Sequence, residues 1–213
     1  MSHTRPGIAF AVSLISQFMH APRKEHLDAA HKILRYLKSC PGKAIFFKKN
    51  NDRRVEVFTY ADWAGSVNDR KSTSRHCTFV WGNLVTWRSK KQTVVARSSA
   101  EAEFRSMANG MCEVLWIQRV LKELEKEISM PIRLYCDNKA AISIAHNPVQ
   151  HDLTKHIEID RHFIKEKLEN GVVYMPFISS SEQVADVFTK GLFRQVFEVL
   201  VSKLGMLDIY APT

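Results

Sequence analysis

Three acids in this chain stand where regular elements begin or end, and a fourth lies close to a strand. Asp137 is the first residue after the strand-forming run Pro131–Cys136 and just before a helix. Glu103 lies in the first turns of a long helix opened by Ser98 and Glu101, an S-x-x-E capping box that satisfies free N–H groups at a helix start. Asp186 falls inside a helix predicted over Ser181–Leu192. Asp62 follows the strand Val55–Tyr60 and precedes the turn signal Gly65-Ser66. Acids on strand ends and helix starts can converge on one sheet edge. Converging carboxylates repel and need a cation, and oxygen donors of this kind suit Mg²⁺ or Mn²⁺. Two such ions about 3.5–4 Å apart can activate water and stabilise the leaving oxygen in phosphodiester cleavage. The ordinary reading competes. Acids near helix N-termini also stabilise the helix dipole, and 22 acids supply such placements by chance.

The elements that must position these acids are legible in the periodicity. Ile8–His20 is apolar on most sides and reads as a buried helix; Pro22 opens a second, with Leu27, Ala30, Ile33, Leu34 and Leu37 on one stripe. Pro41 and Gly42 end it, and Ala44–Phe47 is a short strand. Lys48–Arg54 is polar and marks a domain boundary. Beyond it come Val55–Tyr60 and a hairpin over Cys77–Trp87 turning at Gly82-Asn83. The long helix follows, faced by Met107, Met111, Val114, Leu115, Gln118, Leu121 and Leu124, apolar except for Gln118. Then come the strand Pro131–Cys136, helices Asn138–His146 and Lys155–Gly171, the strand Val172–Ile178 and the helix holding Asp186. Three consecutive strands predict an antiparallel meander, and strands that alternate with helices predict parallel additions. The expectation is an α/β fold with a five-stranded mixed sheet flanked by helices, preceded by a small helical segment.

Composition bounds the partners. The chain has 213 residues, 45% hydrophobic, which suffices for one sizeable domain and a smaller piece. Lys and Arg number 31 against 22 acids, a net charge of +9, which favours polyanions such as nucleic acid. No apolar run approaches the roughly 18 residues of a membrane span, and Met1–Gly7 lacks a signal-peptide core, so an intracellular location is expected. Cys40, Cys77, Cys112 and Cys136 form no C-x-x-C pair and read as buried free thiols.

The segments "ADWAGSVNDRKSTS", "VTWRSKKQ", "ARSSAEAEF", "LYCDNKAAI", "NPVQHDLTKHIEID" and "ADVFTKGL" closely resemble the ribonuclease H domain at the C-terminus of copia-type retrotransposon Pol polyproteins. The stretch from "TRPGIAFAVSL" to "AIFFKK" resembles the end of the reverse transcriptase in the same polyproteins. The resemblance divides the chain into 1–50 (reverse transcriptase end), 51–193 (ribonuclease H-like domain) and 194–213 (a partly helical tail). It implies a ribonuclease H-like fold that cleaves the RNA strand of an RNA–DNA hybrid with two Mg²⁺ ions and four acids. It also implies the polyprotein's reverse transcriptase as partner, and residence in cytoplasmic retroelement particles. Glu103, Asp137 and Asp186 match three of the four acids. The first-strand acid does not follow: members read "YTDADWAG" where this chain reads "FTYADWAG". Tyr60 takes the ligand position, and Asp62 would lie a further 6–7 Å along the strand.

A tyrosine hydroxyl ordinarily titrates with a pKa of about 10, so position 60 offers a neutral group where a carboxylate would bridge the ions. Weakened metal binding and impaired cleavage follow as expectations; Asp62 is the candidate substitute ligand, reaching the site only if a local bend brings it back. The alternative is a catalytically dead hybrid-binding or structural remnant. A transposase or integrase shares the fold but is disfavoured by "SSAEAEF" and "LYCDN". Arg75 and Trp81 stand where glycine is usual, and Gly7 where aspartate is. Arg88, Lys90 and Lys91 are candidate phosphate contacts, and Arg97, Ser98, Ser99 and Asn138 candidate minor-groove contacts; a solvated basic turn and helix capping are the plain alternatives. His146, His151, His156 and His162 lack zinc-site spacing, and His156 is a candidate for a histidine near the fourth acid.

Overall fold

Along β2 (Arg54–Asp62) Val55, Val57, Thr59 and Ala61 are buried, whereas Glu56, Phe58, Tyr60 and Asp62 are half-exposed. That period of two fixes which face meets the core. The computed structural model describes residues 5–49, 51–147, 158–188 and 191–210. β2 pairs antiparallel with β3 (Thr73–Val80), which pairs antiparallel with β4 (Asn83–Lys91). On its other side β2 pairs parallel with β5 (Ser129–Tyr135), and β5 pairs parallel with β6 (Val173–Tyr174). The sheet order is β4-β3-β2-β5-β6, the expected mixed five-stranded sheet with its first three strands antiparallel.

The chain divides into two units. One holds residues 48–185 and contains this sheet; the other holds residues 1–47 and 186–213. In the first, α3 (Ser99–Glu123) lies over β2 and β3. Phe104, Met107, Met111 and Val114 meet Val55, Val57, Ile132 and Leu134 in its main core. α4 (Lys139–His146) and α5 (Glu158–Glu169) contribute Ala141, Ala145 and Ile164 to the same cluster.

The second unit joins two parts distant in sequence. It contains α1 (Ala9–Ser16), α2 (Lys24–Ser39) and α6 (Arg194–Lys203), and β1 (Lys43–Ile45) pairs antiparallel with β7 (Met206–Asp208). The Arg5 guanidinium ties its start to the Cys40 and Pro41 carbonyls at 2.9 and 2.6 Å.

Several elements differ from the sequence expectation for physical reasons. The apolar first helix is shorter, Ala9–Ser16, and none of its residues is fully buried. The β3–β4 turn is Trp81-Gly82, with φ of 53° and 71°, one residue earlier than expected. Both central residues are left-handed, as two-residue hairpin turns demand, and Trp81 stacks with Arg53 at 4.8 Å. The last strand stops at Tyr174, with one further bridge from Phe177 to Cys136; Pro176 between them has no N–H to donate. The helix expected over Ser181–Leu192 is a 3-10 helix, Val184–Phe188. Gln183 diverts its side chain to the Thr59 carbonyl and the Ala185 N–H, at 3.0 and 3.3 Å, and three serines precede it.

Candidate metal-binding site

The site begins where two strands part. The β2–β5 ladder runs to Phe58 opposite Tyr135, and then β5 leads on to Cys136, which bridges to Phe177. The β2 backbone beyond Phe58 finds other partners. The Thr59 carbonyl accepts from Gln183 Nε2, and the Ala61 N–H donates to Glu103 Oε1 at 2.9 Å. Glu103, 4% exposed, thus enters the gap from α3. α3 comes this close because Gly110 has no side chain: a Cβ there would lie 2.5 Å from Thr59 Cγ2. Ser106 Oγ holds the same contact, 2.8 Å from the Tyr60 carbonyl and 3.1 Å from that of Arg75.

Across the gap, a Glu103 oxygen, Cys136 Sγ and an Asp137 oxygen lie within 4.8 Å of one another. Asp137 Oδ2 accepts from Ser180 Oγ at 2.9 Å. Asn138 accepts the Ala141 N–H at 3.0 Å and caps α4, which fixes the turn carrying Asp137. Burial pushes the Cys136 thiol well up, and the charges of Glu103 and Asp137 push it the same way. Sulfur is a soft donor, so the hard donors here are the two carboxylates. Mg²⁺ is held by one or two carboxylates plus waters and substrate phosphates, so this pair suits one hard divalent ion. Sequence reasoning missed Cys136 and the fixing roles of Gln183 and Ser180. The adjacency of Cys136 to Asp137 was the available signal for the first, but the other two depend on contacts 124 and 43 residues away.

The β2 residues are arranged differently. Asp62 Oδ1 accepts the Thr73 N–H, and its Oδ2 lies 3.5 Å from Arg75 Nη1. Its carboxylate also sits beneath the β2–β3 turn, where a Cβ on Gly65 would come within 2.6 Å of Oδ2. It is absent from the converging group found among the described residues. Tyr60 lies directly opposite Arg75 across β2 and β3. Asp186 lies in the 3-10 helix, buried, where the residues of the second unit resume.

The basic candidates lie within β4 rather than after it, so they alternate between faces. Arg88 and Lys90 stand opposite His76 and Ser74, and all four line one cavity with Asn109, Cys112 and Glu113 of α3. Lys91 is on the other face, 2.9 Å from Asp69 and 2.9 Å from Ser66 Oγ. Ser98 accepts the Glu101 N–H at 3.1 Å and caps α3. Glu101 in turn accepts the Arg97 N–H at 2.8 Å, one residue before the position a reciprocal box would use. Ser99 is the exposed first residue of α3. His146 bonds the Ile142 carbonyl in its own helix. His151 and His156 lie outside the described residues.

No family profile matches the chain. Over 209 residues it is 43% identical to the retrovirus-related Pol polyprotein from transposon RE1 of Arabidopsis thaliana, an alignment covering 98% of the chain and 14% of that protein. The Pol polyprotein from transposon TNT 1-94 of Nicotiana tabacum is 36% identical over 206 residues, 95% of the chain and 15% of that protein. Among solved structures, the N-terminal RNase H domain of a Mycobacterium tuberculosis protein, fused to maltose-binding protein, aligns with a TM-score of 0.46 and 9% identity. That alignment covers 71% of the chain and 98% of the other. The β4-β3-β2-β5-β6 order, with α3 over β2 and β3, agrees with the mixed five-stranded arrangement expected from the sequence. Over nearly its whole length the chain is similar to these retrotransposon Pol polyproteins, and it spans about a seventh of their length.

Proposed function

We propose that this chain is the ribonuclease H portion of a retroelement Pol polyprotein, following the end of its reverse transcriptase, and that it engages RNA–DNA hybrids while cleaving them poorly. Residues 1–50, 51–193 and 194–213 correspond in this reading to the reverse transcriptase end, the ribonuclease H-like domain and a tail. The reverse transcriptase is its natural partner, and cytoplasmic retroelement particles its natural location.

The observation that carries the proposal is the state of β2: a tyrosine at position 60, and an Asp62 held by the Thr73 N–H and Arg75. Glu103 and Asp137 would hold a divalent ion, Mg²⁺ or Mn²⁺, which when bound supplies Lewis-acid activation of water and charge stabilisation at a phosphodiester. Around it, Ser180 orients the Asp137 carboxylate and the Ala61 N–H orients that of Glu103. No carboxylate from β2 completes the pair of ion positions. Hybrid binding itself asks less, because phosphate contacts are electrostatic and independent of the metal.

The test is a purified-chain assay of hybrid binding and cleavage. Binding is expected to weaken with salt, and Mg²⁺-dependent cleavage to stand about 100-fold or more below that of a ribonuclease H with a complete set of acids. Cleavage at the rate of such an enzyme overturns the proposal. Binding with no cleavage at all selects the non-catalytic form of this reading, which Tyr60 favours.

A further inference from the structure

β3 carries an arginine inside the sheet. Arg75 is 5% exposed and stands opposite Tyr60 in the antiparallel register of β2 and β3. Side chains so placed share a face, with Cβ atoms about 4.5–5.5 Å apart. Arg75 Nε donates to Ser89 Oγ at 3.0 Å, and Nη1 lies 3.5 Å from Asp62 Oδ2. The guanidinium is therefore held over the end of β2 rather than swung into solvent. Arginine stays protonated in proteins, so this strand end carries a permanent positive charge.

Such a charge changes what position 60 can do. A buried guanidinium needs an anionic partner, and Asp62 serves. A carboxylate introduced at position 60 would stand opposite the same guanidinium and become a further partner of it before it could become a metal ligand. A divalent ion near this strand end would also meet the repulsion of a fixed cation in a poorly screened setting. We infer that Arg75 limits what a carboxylate at position 60 can add to divalent-cation affinity at this site. It is a built-in counter-ion that holds β2 carboxylates away from metal, so that positions 60 and 75 act as a pair and Tyr60 alone does not decide the outcome. The inference rests on the reading of Glu103 and Asp137 as ion ligands.

The test is Mn²⁺ binding to the full chain, followed by the paramagnetic resonance of the free ion, in wild type, Tyr60→Asp, Arg75→Met and the double variant. Methionine keeps much of the volume of arginine and removes its charge. Each single change is expected to alter affinity less than about threefold, and the double change to raise it about tenfold or more, beyond the product of the two. Tyr60→Asp combined with Arg75→Lys, which keeps the charge, is expected to bind like Tyr60→Asp alone. Tyr60→Asp binding as tightly as the double variant overturns the inference, and so does a double variant no tighter than wild type. Circular dichroism and thermal unfolding establish that each variant is folded; Arg75→Gln replaces Arg75→Met if the latter is not. Adding Asp137→Asn to the double variant is expected to abolish the gain. A gain that survives it refutes the assignment of the ion to Glu103 and Asp137, and this inference with it, whereas hybrid binding measured on the same proteins tests the proposed function separately.

Discussion

At Gly110 two opposing effects can be weighed. Glycine inside a helix costs about 1 kcal/mol relative to alanine, so propensity alone favours Gly110→Ala. The alanine methyl, however, would lie 2.5 Å from Thr59 Cγ2 and 3.3 Å from Val57 Cγ2. Both neighbours are fully buried in a central strand, so they have little room to yield, and overpacking costs about 1–3 kcal/mol. The clash is expected to win, with a net loss of about 1 kcal/mol or more in urea unfolding; a stabilised variant would show that α3 can lift off β2. Part of the site was open to inspection at this scale. That Tyr60 replaces an acid is a matter of chemistry at one position. The fate of Asp62 is not, because its partners Thr73 and Arg75 lie 11 and 13 residues on and reach it only once β2 and β3 pair in one register.

Among the elements, strong periodicity proved readable and short or capped segments did not. β2, the hairpin and α3 carry long alternating or helical patterns, and each lies close to its expected place. β7 has three residues and no pattern, so its pairing with β1 needed the tertiary structure. The Gln183 side chain competes with helix formation through contacts that no local window contains. Ser98 is an element-scale case with a measurable cost: its hydroxyl accepts the Glu101 N–H, and Ser98→Ala is expected to cost about 1 kcal/mol in denaturant unfolding. A cost near zero would mean that Glu101 and Arg97 hold the helix start unaided. β3 also sets a pH dependence through His76. Burial lowers its pKa below the ordinary 6.5 and Arg88 adds to this, while Glu113, 3.8 Å away, opposes them. Lys90 and Cys112 line the same cavity. The unfolded chain therefore takes up a proton first as pH falls. The contribution of His76 is intact above about pH 6.5 and is lost as pH drops from there through the folded value. His76→Gln is expected to flatten the fall in urea midpoint between about pH 7 and pH 5; an unchanged slope would assign the fall to other groups.

For the whole molecule, the net charge of +9 predicts attraction to polyanions but says nothing of where they bind. The fold divides the basic candidates. Arg88 and Lys90 share a face of β4 along the cavity against α3, whereas Lys91 turns the other way and is engaged by Asp69, whose carboxyl is held at about 2 by the Ser66 hydroxyl and the Lys91 ammonium. A lysine already neutralised by a carboxylate displaces few counterions when a phosphate approaches, so the three should not contribute equally to hybrid binding. The sequence offered them as one run and could not separate them, since alternation along a strand assigns faces only once the strand is known to include them. In this account Arg88→Gln and Lys90→Gln each lower the slope of log affinity against log salt by about 1, and Lys91→Gln lowers it by much less. The measurement is fluorescence anisotropy of a labelled RNA–DNA hybrid across a salt series, with a scrambled hybrid of the same length to establish that the effect does not depend on sequence. If Lys91→Gln changed the slope as much as Lys90→Gln, the hybrid would have to displace Asp69 from Lys91, and the β2–β3 loop rather than the α3 side of β4 would be the surface that meets the nucleic acid.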